Sequence, residues 1–100
     1  MYYILKDHEI IKVSGVAEWD RWFGTADRVV ANDVIGNSNI STIFLGMDHS
    51  FNGPPPLLFE TMVFGGPLEG KQDRCATWEQ AEKMHADMCE RVRKLLEDNE

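Results

Sequence analysis

Residues 77–96 read TWEQAEKMHADMCERVRKLL, and their periodicity sets what the rest of the chain must supply. Trp78, Ala81, His85, Met88, Val92 and Leu95 recur every three and four residues, forming one helical stripe that is apolar except for its histidine. Thr77 and Gln80 form a capping-box pair, in which the hydroxyl meets the backbone N–H three residues on and the amide reaches back. Glu79–Lys83, Asp87–Arg91 and Glu90–Lys94 place acid before base at i,i+4, each pair contributing about 0.2–0.5 kcal/mol. The spacing predicts a helix to about Leu96. A helix with one apolar stripe needs a sheet or a second helix to lie on.

Working back along the chain, LLFETMVF (57–64) and ISTIFLGM (40–47) are rich in β-branched and aromatic residues and read as strands. Both carry apolar residues at alternating positions of both faces, so both faces are expected to be covered. RVVANDVI (28–35) is a third strand, closed by the turn at Gly36, Asn37 and Ser38. The N-terminal segment, residues 2–13, reads as a short hairpin or a broken strand around Lys6, Asp7 and His8. Ser14 is placed to cap a helix through VAEWDRWF, with Trp19, Trp22, Phe23 and Ala26 on one face to anchor it on a sheet. DHSFNGPPP (48–56) and GGPLEGKQDR (65–74) read as loops. The prolines stiffen the first, and glycines hold the second open.

The order β-(β)-α-β-β-β-α leads to an α+β fold in a single domain, residues 1–100. An antiparallel sheet of three to five strands carries a short helix in the N-terminal half and the long C-terminal helix packed on it. One hundred residues, 43% of them apolar, suffice for one modest core. No apolar run approaches the roughly 20 residues that cross a bilayer, and MYYILKDHEIIKV lacks the marks of an export signal, so the chain reads as cytosolic with no membrane partner. With a net charge of -7 and ten Lys plus Arg, the composition disfavours nucleic-acid binding. Cys75 and Cys89 match neither a disulfide framework nor a metal knuckle.

The polar residues offer two kinds of chemistry. Asp48, His49 and Glu60, with His85, are the residue types of a metal-assisted hydrolase, whose ligands must converge to about 2.0–2.2 Å from one ion. Asp48 and His49 are adjacent, however, and on a regular strand point to opposite faces. His85 has Ala81 and Cys89 at i±4, read here as no helical partner of ligand type, and no HExxH, DxD or HxH spacing occurs. No catalytic residue, metal ligand or cofactor is assigned on this reading. Asp48 is an Asx-turn former, and Asn52-Gly53 tolerates positive φ, so the loop is more simply a shaped connection. Glu60 within a strand needs a basic partner such as Arg28 or Arg74. Cys75 precedes a helix N-terminus, where the dipole can lower a thiol pKa. For a small ligand, the residues expected near the pocket are Trp19, Trp22, Asp48, His49, Glu60, Arg74 and Trp78.

WDRWFGTADRVV (19–30), STIFLGMDHSFNGPPPLLFETMVFGGPLEG (41–70) and TWEQAEKMH (77–85) together resemble a family of small proteins encoded by bacteriophages and prophages. The similarity runs from about Tyr2 to His85, and FLGMDHSF…GPPPLLFETMVFGG is its most specific part. The family brings no catalytic residues to carry over, and Arg74-Cys75 stands where its members often have an aromatic. The resemblance implies a phage product acting in the bacterial host cytoplasm by binding a host protein or a small signalling molecule, as a host-takeover or anti-defence factor. Separately from the resemblance, a homodimer joined through the stripe of the last helix or through a sheet edge is expected. The alternatives are the metal-assisted hydrolase using Asp48, His49 and Glu60, and a minor virion or assembly component.

Overall fold

Among residues 1–48 and 53–98, which the computed structural model describes, the chain runs β1 (Tyr2–Lys6), β2 (Glu9–Val13), α1 (Val16–Phe23), β3 (Val29–Ile35), β4 (Ser38–Phe44), β5 (Phe59–Phe64), β6 (Gln72–Cys75) and α2 (Trp78–Asp98). Strands β3 to β6 form an antiparallel sheet in chain order, and β1 and β2 form a separate hairpin. The α+β class is as the sequence indicates. No helix among the described residues is long and apolar enough to cross a membrane.

Register explains how α2 meets the sheet. Ile40 lies opposite Val63, Thr42 opposite Thr61, and Phe44 opposite Phe59. These alternate residues point to one face, where all six are fully buried. The helical stripe, here Ala81, Met84, His85, Met88, Cys89 and Val92, is buried against them. The apolar contacts divide into two clusters. Ile40, Val63, Met88, Cys89 and Val92 form one, completed by Ile35 and Leu96. Phe44, Leu58, Phe59, Ala81 and Met84 form the other, completed by residues of the hairpin and by Trp22 and Trp78. Thr42, Thr61 and His85 sit between the two.

The capping box is formed as expected. Gln80 N–H donates to Thr77 Oγ1 at 3.1 Å, while Gln80 Oε1 accepts from the N–H groups of Thr77 and Ala76 at 3.2 and 3.1 Å. The surface ion pairs of α2 differ from the expected set. Lys83 meets Asp87 and Arg93 approaches Glu90, because exposed side chains settle by rotamer rather than by the best isolated-helix spacing.

The N-terminal half departs from expectation in its details. Gly15, and not Ser14, is the N-cap of α1, and it makes no side-chain cap bond. Helix α1 lies chiefly against the hairpin. It reaches the large sheet through the edge of Trp22 on Phe44, with ring centroids 5.7 Å apart. The hairpin docks where Tyr3 N–H donates to Gly46 O at 2.8 Å. Gly46 has φ +78°, and a Cβ there would sit 2.8 Å from Trp19 Nε1, so the site requires glycine on both counts.

The largest correction concerns residues 65–74. Their C-terminal part is strand β6, which pairs with β5 through Met62↔Gln72, Thr61↔Asp73, Glu60↔Arg74 and Phe59↔Cys75. Only a four-residue edge strand is involved, and its polar sequence carries no alternation.

Candidate functional site

One polar chain enters the core from solvent. Asp33 projects from the edge strand β3 with its side chain 53% exposed, and its Oδ2 lies 2.7 Å from His85 Nε2. His85 is 5% exposed. Its Nδ1 is 2.7 Å from Thr42 Oγ1, which in turn is 2.5 Å from Thr61 Oγ1. The hydrogen bond to His85 holds the Asp33 carboxyl below its usual range, so it is ionised at neutral pH. A carboxylate can only accept, so His85 donates to Asp33 from Nε2. In the tautomer with Nδ1 unprotonated, Thr42 donates to Nδ1 and Thr61 donates to Thr42. Every member is satisfied, which is the condition for a buried polar layer to be tolerated. The arrangement has the residue types of a nucleophilic triad, but Thr42 is fully buried, so no substrate can reach its hydroxyl.

Cys89 stands one helical turn after His85, and its Sγ is 3.8 Å from Asp33 Oδ2. The ligand-capable atoms of Asp33, His85 and Cys89 all lie within 4.8 Å of one another. Cys89 is therefore a ligand-type neighbour of His85, contrary to the sequence reading. Asp33 joins them from a position 52 residues before His85. The HxxxC spacing was visible in the sequence. The aspartate was not, because only sheet pairing brings β3 over α2.

The opposite face of the sheet is a contrast. Register places on it the rows Val29–Ile43–Glu60–Arg74, Asn32–Ser41–Met62–Gln72 and Val34–Asn39–Phe64. No described element packs across these rows. Val34 is 72% exposed, Phe64 52% and Val29 50%. The expectation that both faces are covered is thus overturned for this one. An antiparallel sheet with one solvated face ordinarily shows polar residues there, yet five of these positions are apolar. The charged residues of the face are Glu60 and Arg74, which neutralise each other through a 2.8 Å contact from Nε to Oε2. Arg74 is one of the two partners the sequence suggested. The other, Arg28, lies over the Phe23 ring and donates to Phe44 O.

The residues expected to surround one ligand are distributed over the molecule. Trp22 and Trp78 line one cavity of about 560 Å³ with Leu5, Val30 and His8, whose ring stacks on Trp78 at 3.7 Å. Arg74 lines a different groove, of about 450 Å³, between β6 and α2 with Leu57, Cys75, Gln80, Met84 and Arg91. Trp19 packs between Tyr2 and Phe23. Asp48 Oδ1 accepts from Leu57 N–H at 3.0 Å, closing the loop that joins β4 to β5. His49 lies outside the described residues. Among the described residues, Asp48 and Glu60 belong to no cluster of metal-capable side chains.

The thiols are not activated. Burial pushes the Cys75 thiol up to about 11, outweighing a backbone hydrogen bond from Thr77 that lowers it, so proximity to the α2 N-terminus does not produce a reactive thiolate. Burial, followed by the Asp33 carboxylate, raises Cys89 as well.

No family model, curated protein or solved structure matches this chain.

Proposed function

We propose that this chain is a non-enzymatic binding protein that works as a homodimer joined through the outer face of its four-stranded sheet. The observation that carries the reading is that face: Val29, Val34 and Phe64 are exposed on it, with half-buried Ile43 and Met62 in register between them. Charge selects the occupant. Two copies of a chain with net charge -7 repel each other over most of their surface. The outer face, with its single neutralised pair, is where a second copy meets the first without like-charge contact. The α2 stripe does not serve this purpose, because it is already buried against the chain's own sheet.

Size sets the strength. Four strands about 4.8 Å apart, each of about six residues at roughly 3.4 Å, make a face on the order of 400 Å² in projection. Stable interfaces bury about 800 Å² per partner, so association through this face is concentration-dependent. The resemblance to phage and prophage products supports a target in the bacterial host, bound by the surfaces that the dimer leaves open. These include the groove between β6 and α2.

Amide NMR over a dilution series tests the interface. Shifts concentrated in the outer-facing residues of β3, β4 and β5 are expected. Shifts concentrated on α2, or spectra that do not change with concentration, would remove this reading.

A further inference from the structure

We propose that Asp33, His85 and Cys89 form a three-ligand site for a divalent transition-metal ion of the zinc class. This inference is independent of the dimer.

The donor set is one carboxylate oxygen, one imidazole nitrogen and one thiolate sulfur, which suits a borderline-soft ion that favours four-coordinate geometry. In tetrahedral coordination, with metal–ligand distances of about 2.0–2.3 Å, oxygen and nitrogen stand roughly 3.3 Å apart, and oxygen and sulfur roughly 3.6 Å. The Asp33–His85 contact of 2.7 Å must open by a few tenths of an ångström, while the Asp33–Cys89 contact of 3.8 Å is already close to that value. Asp33 is the half-exposed member, on an edge strand, and can supply that movement by a change of rotamer. His85 and Cys89 are fixed by their i,i+4 spacing on α2 and by burial on both sides.

The surroundings of His85 favour the same reading. A metal-bound histidine ordinarily donates its other ring N–H to a nearby oxygen, which fixes the ring and its tautomer. Thr42 Oγ1, 2.7 Å from Nδ1, is that oxygen, and Thr61 stands behind it to accept from Thr42. The threonine pair can run its hydrogen bonds in either direction, so the layer accommodates metal-free and metal-bound histidine without moving its atoms. The proton balance is simple. The ion replaces the proton on Cys89, the Nε2 proton passes formally to Nδ1, and one proton is released to solvent for each ion bound. With Asp33 half-exposed, water or an external donor would complete the shell as fourth ligand. An ion held here ties the edge strand β3 to α2.

The test uses the full chain with Co²⁺ and Zn²⁺ as probes. Co²⁺ is expected to give a sulfur-to-metal charge-transfer band with the visible bands of tetrahedral coordination. Zn²⁺ in hundredfold excess over its dissociation constant is expected to raise Tm by about 10 °C. Cys89→Ala should abolish the charge-transfer band, and Cys75→Ala should leave it intact. Asp33→Asn, a change at a half-exposed position, should weaken Co²⁺ binding about tenfold or more, and it supplies the reading if Cys89→Ala does not fold. A Co²⁺ spectrum without the thiolate band, a band that follows Cys75, or equal affinity in Asp33→Asn would overturn the site.

Discussion

The same four strands make two faces of opposite character. On the inner face, Ile40, Phe44, Phe59 and Val63 are sealed under α2, and Thr42, Thr61, His85 and Asp33 are joined in one satisfied chain. On the outer face, Val34, Phe64 and Val29 stand in solvent and the polar residues are scattered. Because side chains alternate along a strand, both faces are written in one stretch of sequence, and apolarity alone does not say which of them is closed. What separates them is the partner. Helix α2 has a single stripe and can cover a single face. The inner face therefore determines whether the chain folds, and the outer face is free to determine what it meets.

That division predicts unequal costs for substitutions on the two faces. Phe44→Ala, in the centre of one apolar cluster, should cost about 3–5 kcal/mol, a large part of the stability of an ordinary small domain. Urea unfolding measures it, and a loss below 1 kcal/mol would show that the cluster is not the core. Thr42→Val should cost about 1–3 kcal/mol, because it strands His85 Nδ1 and the Thr61 hydroxyl. Replacing Thr42 by Val, Thr61 by Val and His85 by Leu together should cost less than the sum of the three single changes. Additive losses would mean that these groups do not act as a unit.

Asp33 gives the inner face a pH dependence. Its folded-state pKa is lowered, chiefly by the hydrogen bond to His85, so its contribution to stability is complete above the unfolded pKa. The contribution is lost as pH falls through the lowered folded value. In metal-free buffer the stability advantage of the wild type over Asp33→Asn should therefore shrink through the acid range, and an advantage that grows on acidification would contradict the assignment. The smallest effect is expected on the outer face. Val34→Lys with Phe64→Lys should change the stability of the isolated chain by no more than about 0.5 kcal/mol per site, read under dilute conditions.

How much of this was legible follows from the range of each interaction. Helix α2, its Thr77–Gln80 cap and strands β3 to β5 were readable because their signals are local: periodicity, capping and β-branched runs. Strand β6 was not, since QDRC is polar at an edge and is recruited by pairing with β5, Glu60 meeting Arg74. The Ser14 cap fails because the extended cap residue is Gly15 and helix geometry begins only at Val16. For the candidate metal site, His85 and Cys89 were adjacent on one helix face in the sequence, but the contact with Asp33 spans 52 positions and arises from topology alone. The residues proposed to share one ligand were chosen by type, and type does not fix location. Trp22 and Trp78 share a cavity, while Arg74 lies on another.

The proposed dimer joins two copies of this chain through the open sheet face. Light scattering on the eluting protein over a range of loading concentrations tests it most directly. The wild-type mass should rise toward two chains with concentration, and the Val34→Lys, Phe64→Lys variant should keep a mass of one chain throughout. A wild-type mass of one chain at every concentration, or a two-chain mass that survives both substitutions, would contradict it.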